Sequence, residues 1–85
     1  MNLKIPVTGE TTEFKPANGT AFTLEELQSA VGGNIEFVPS EKNGHLIIVN
    51  EEGHIHGLPF NTAASFLAGI PLVGDALVVE EKYVE

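Results

Sequence analysis

Two hydrophobic periods alternate along this chain. Leu3, Ile5 and Val7 are spaced by Lys4 and Pro6, the period-two signature of a half-buried strand. Pro6 cannot donate to a ladder, so that strand lies at an edge or breaks there. Thr8-Gly9-Glu10 reads as a turn, Thr12 to Lys15 as a strand pairing back, and Pro16 to Gly19 as a loop. The period then lengthens. Leu24, Leu27 and Val31 recur at three and four, which puts them on one helix face. Thr23 and Glu26 have capping-box spacing, Phe22 and Leu27 stand where a hydrophobic staple forms, and Gly32 supplies a left-handed stop.

Period two returns at Asn34 to Val38, with Ile35 and Phe37 on one face, and Pro39 ends the run. Ser40 to Gly44 reads as a polar turn. His45 to Val49 is apolar on both faces, the pattern of a central strand. Asn50-Glu51-Glu52-Gly53 has turn chemistry, after which His54-Ile55-His56 is expected to return antiparallel with Ile55 inward. Asn61 is an N-cap for a helix over Thr62 to Ala68, which Gly69 closes and Pro71 forbids from continuing. Val73-Gly74-Asp75 turns into a last strand, Ala76 to Val79, and Lys82 to Glu85 forms a frayed or strand-extending tail. The pattern predicts an α+β fold: one domain over residues 1–85, a mainly antiparallel sheet of four to five strands, and two short helices on one face.

Composition narrows the function classes. An 85-residue chain has a thin core, and small domains often gain stability by association, so a homo-oligomer is expected. Without cysteine there is no disulfide, thiolate zinc site or thiol nucleophile, which suits a reducing cytoplasm. No apolar run approaches the ~20 residues that span a bilayer, so no membrane role is expected. Twelve acids against four lysines give a net charge of −8, a field that repels nucleic-acid phosphates. The same charge suits a basic protein partner or mimicry of DNA through Glu10, Glu13, Glu51, Glu52, Glu80 and Glu81.

Candidate chemistry is sparse. His54 and His56 at i, i+2 project from one strand face, and His45 across the hairpin would complete a zinc or nickel set beside Glu51 and Glu52; solvated hairpin residues are the simpler reading, and no metal or cofactor is expected. Glu51 and Glu52 are adjacent turn residues, whereas acid–base catalysis needs a sheltered, tuned pair. Ser29, Ser40 and Ser65 lack a nucleophile elbow. The chain is therefore not expected to be an enzyme. The start of the Asn61 helix offers backbone donors to a phosphate, with Leu58, Phe60 and Phe66 near enough to stack on a base.

The order LEELQSAVGGNIE, NEEGHIHGLPFN and IPLVGDALVV resembles a small domain of unknown function found in phages, plasmids and bacterial mobile elements. The resemblance rests on Leu27, Gln28, Val31, Gly32, Gly33, Ile35 and Glu36, then Asn50 to Gly53, then Gly57, Leu58, Pro59 and Asn61, and last Ile70, Val73 and Gly74, within residues 23–80. Members commonly follow the GLPxN segment with arginine, where this chain has Thr62. The resemblance implies an accessory protein of a mobile element, acting in the host cytoplasm. Counter-defence by sequestering a small nucleotide-like immune signal is the leading expectation, with a binding site of Asn50, Gly57, Leu58, Phe60, Asn61, Thr62 and Asp75. The alternative is an acidic inhibitor that binds a host defence protein, and the third reading is a metal-binding hairpin.

Overall fold

The computed structural model describes residues 2–8, 10–40 and 44–84. The expected turn at Thr8-Gly9-Glu10 and the polar turn at Ser40 to Gly44 lie partly outside them, as does the end of the tail. Five strands form one antiparallel sheet: β1 (Leu3–Ile5), β2 (Thr12–Glu13), β3 (Ile35–Pro39), β4 (His45–Asn50) and β5 (Ala76–Glu80), in the spatial order β2-β1-β5-β4-β3. Helix α1 (Leu24–Val31) joins β2 to β3, and α2 (Thr62–Ala68) lies between β4 and β5.

Strand β4 explains the architecture. Consecutive side chains of a strand point to opposite faces, and both Ile47 and Ile48 are fully buried, so both faces of the sheet must be covered. Ile48 packs with Leu77, Val79 and Phe22 under Leu27 and Val31 of α1. Ile47 packs with Val49, Val38, Ile5, Ala76 and Leu72 under Ala64 and Ala68 of α2. The two helices therefore occupy opposite faces of the sheet, not one shared face. A strand that is apolar on both sides leaves no other arrangement without exposing an isoleucine to water.

Helix α1 forms with the cap read from its sequence. Thr23 Oγ1 accepts from Glu26 N at 3.1 Å, and the Glu26 carboxylate accepts from Thr23 N at 2.9 Å. Glu26 also reaches back to Ala17 N at 2.8 Å. Bonds from the Thr23 backbone, the Ala17 backbone and the Thr23 hydroxyl outweigh desolvation and hold its carboxyl below the usual glutamate range. Gly32, at φ 80°, ends the helix as expected. Leu24 is exposed, so the buried stripe is Leu27 and Val31.

β1 breaks at Pro6, as expected, and is an interior strand paired on both sides by β2 and β5. Two expectations are corrected. Residues 54–56 are not a returning strand: His56 N bonds Glu52 O, Gly57 N bonds His54 O and Leu58 N bonds Gly53 O, so the chain coils through local turns. Ile55 consequently points to solvent, 80% exposed, and β5 takes the place beside β4. The C-terminal tail forms neither a frayed end nor a strand extension over residues 81–83, but one 3₁₀ turn (Glu81–Tyr83), tied to the start of α1 through Phe22 N and Tyr83 O at 2.7 Å.

Candidate functional site

The segments 31–33, 50–53, 57–61 and 70–74, distant in sequence, interlock in space. A Cβ at Gly33 would stand 2.9 Å from Asn50 Nδ2, one at Gly53 would stand 2.8 Å from Val73 Cγ2, and one at Gly74 would stand 2.8 Å from Leu58 Cδ1. Real Cβ atoms do not approach so closely, so these three glycines are places where one segment passes directly over another. Leu58 fits between Gly53 and Gly74, and the Phe60 backbone bridges to Val73.

Two asparagines tie this assembly together. Asn61 is 1% exposed. Its Nδ2 donates to Ile5 O and Gly74 O, both at 2.9 Å, while its Oδ1 accepts from Ala64 N at 3.0 Å and caps α2. One side chain thus links the helix, the end of β1 and the turn before β5. Asn50 is also buried, donating to Val31 O at 3.2 Å and accepting from Glu52 N at 2.8 Å. Those bonds join the end of α1 to the turn after β4.

Above this junction opens a cleft of about 340 Å³ whose lining includes Val7, Val31, Leu58 and Pro59 on its apolar side and Lys4, Ser29 and Asp75 on its polar side. Its size falls at the lower end of small-molecule sites. Asp75 Oδ1 accepts from Val7 N at 2.9 Å, and Oδ2 lies 3.9 Å from Lys4 Nζ. The C-terminal turn of α1 contributes the negative end of its dipole to the same wall. The cleft is therefore rich in acceptors, with its ammonium group already beside a carboxylate.

Of the seven site residues expected from the sequence, Leu58 and Asp75 line this cleft. Asn61 lies beneath it, bonded to Gly74 O, and Asn50 braces the neighbouring helix end; the polar atoms of both side chains are spent on backbone. Gly57 and Thr62 are exposed, and Phe60 (55%) and Phe66 (86%) face solvent outside the lining. Lys4, Val7 and Ser29 were not expected in the cleft. Their convergence needs β1 beside β5 and α1 across the sheet, contacts with no local sequence signature.

The histidines do not converge. His54 and His56 lie in the turns after β4, whereas His45 begins that strand, about 17 Å of extended chain away. Among the described residues, no group of three or more histidine or acidic side chains is placed to hold a metal. His56 Nε2 lies 4.0 Å from Glu52 Oε1.

The class this structure defines is a small α+β domain, a five-stranded antiparallel sheet with one α-helix on each face, and a cleft where loops cross at the end of the sheet. The chain belongs to the DUF3846 family, a domain of unknown function, whose model matches residues 4–84. No curated protein and no solved structure matches the chain. No helix among the described residues is long and apolar enough to cross a membrane.

Proposed function

We propose that this protein is a non-catalytic binding domain whose partner is a basic protein surface. The distribution of charge carries the reading. Each of the three described lysines sits beside a carboxylate: Lys4 at 3.9 Å from Asp75, Lys15 at 3.7 Å from Glu13 and Lys82 at 4.0 Å from Glu80. Glu10, Glu25, Glu36, Glu51 and Glu81 are exposed and make no ion pair among the described residues. Among the described residues an anionic ligand would meet no free lysine, while a cationic partner would meet several carboxylates outside any ion pair. In the setting that the sequence resemblance implies, a mobile element's counter-defence, such a domain would occupy the basic working surface of a host defence protein.

A second reading, capture of a small nucleotide-like ligand, is favoured by one observation: four separate segments meet to wall the cleft containing Lys4 and Asp75. Its weakness is phosphate recognition, which would rest on a lysine already shared with Asp75.

Native mass spectrometry of the protein purified from host cells during phage infection separates the two. A retained host polypeptide that dissociates as salt rises supports the protein-binding reading. A reproducible added mass of nucleotide size, lost in a Ser29→Trp variant that fills the cleft, overturns it in favour of ligand capture.

A further inference from the structure

The open edge of the sheet at β3 shows what form of partner segment this surface takes. Glu51 N bonds Asn34 O at 2.8 Å, which makes residues 34 and 51 a hydrogen-bonded pair of the β3–β4 ladder. In an antiparallel ladder such pairs alternate, so 36/49 and 38/47 are also bonded, while residues 35, 37 and 39 turn their backbone groups outward. The free edge thus offers the N–H and C=O of Ile35 and Phe37, and then Pro39, which has only a carbonyl.

The two faces of this edge differ chemically. Phe37 is 46% exposed on the α1 face beside half-buried Ile35, an apolar strip. On the α2 face, Glu36 and Val38 flank a groove of about 200 Å³ that also includes Glu51, His54, Ile70 and Leu72, with no lysine among the described residues. Glu36 and Pro39 are the kind of residues that guard an edge against pairing with its own copy. Two copies carrying −8 each and meeting at Glu36 would repel.

We propose, building on the basic-partner reading above, that β3 accepts an extended partner segment as a sixth strand. The segment alternates basic and apolar residues: lysine or arginine toward Glu36 and Glu51, and apolar side chains against Ile35 and Phe37. Main-chain bonds at Ile35 and Phe37 supply affinity, and the acidic groove selects the basic face.

The test uses a blocked peptide of alternating lysine and valine, titrated into the whole protein at low salt and followed by amide NMR and hydrogen exchange. Slowed exchange at the Ile35 and Phe37 amides, with affinity reduced about tenfold by Glu36→Lys, supports the proposal. Phe37→Pro removes an outward N–H and no ladder bond, and is expected to weaken binding while leaving the β4 amides protected. If that variant does not fold, Glu36→Lys and the exchange pattern still decide the matter. Binding that leaves Ile35 and Phe37 unprotected, or that ignores Glu36→Lys, overturns the edge site while the acidic-surface reading stands. Absence of any peptide binding at low salt overturns both. A dimer in sedimentation that Phe37→Pro abolishes would assign the edge to a second copy and overturn the proposal.

Discussion

Asn61→Asp separates the two jobs of one buried side chain. Aspartate caps a helix as well as asparagine does, so the bond from Ala64 N survives the exchange. What is lost is Nδ2, the donor to both Ile5 O and Gly74 O. Two buried carbonyls then face a carboxylate oxygen with no proton between them. A buried polar group left unsatisfied costs about 1–3 kcal/mol, which gives about 2–6 kcal/mol for the pair before charge burial is counted. A domain of this size has roughly 4–13 kcal/mol of stability in total, so the variant is expected near or past its unfolding threshold. At the middle of the range, about 4 kcal/mol, the midpoint would fall by about 16–32 °C.

Acid provides an internal control. Burial raises the carboxyl pKa of an introduced aspartate, and its neutral form can donate to one of the two carbonyls. The folded-state pKa then lies above the unfolded one, so the deficit relative to wild type is full at neutral pH. It shrinks as pH falls through the folded value. Urea unfolding of both proteins, at neutral and mildly acidic pH, measures this. A variant within about 0.5 kcal/mol of wild type at neutral pH would refute the clamp and leave Asn61 as a cap alone. The same reasoning makes Asn61→Asp unsuitable as a probe of ligand capture, since lost binding would report unfolding.

Other perturbations test other contacts. Glu26 has a lowered folded-state pKa, so its contribution is present above the unfolded glutamate value and is lost as pH falls through the folded one. Glu26→Gln is expected to flatten the acid limb of stability against pH, and an unchanged limb would contradict its role. Gly53→Ala places a Cβ 2.8 Å from Val73 Cγ2 and is expected to cost about 1–3 kcal/mol in urea unfolding. That cost should shrink in a Val73→Ala background, and strict additivity of the two changes would rule out the clash. Ile47→Ala removes a fully buried side chain from the α2 face and is expected to cost about 2–5 kcal/mol by the same measurement; a near-neutral result would mean that α2 does not seal that face.

Much of the fold is legible in the sequence because it is local. The Thr23–Glu26 box, Gly32, the Asn61 cap and Gly69 act within one turn of their own helix, and all four form as their spacing predicts. Period two marked β1 and β3 for a similar reason, since alternation reports which side of one strand is buried, and short continuous apolar runs marked β4 and β5. The turn chemistry at Asn50 to Gly53 is also realised, with Gly53 N bonding Asn50 O. The segment after it misled because Ile55 between two histidines imitates a strand, whereas its hydrogen bonds are made within the turns themselves.

The sequence by itself determined both α-helices with their caps, the strands of the sheet and the acidic field. It also carried, in the doubly apolar β4, a requirement for cover on both faces of the sheet. Only the tertiary structure decided which helix covers which face, that β1 pairs with β5, and that Lys4, Ser29, Leu58 and Asp75 share one cleft. It also assigned Asn50 and Asn61 to backbone carbonyls far along the chain, with both N–H groups of the Asn61 amide used there. The physical reason is range. Capping and alternation are set by neighbours a few residues away, whereas a strand's partner and an asparagine's acceptors depend on which distant backbone the packed core brings within 3 Å.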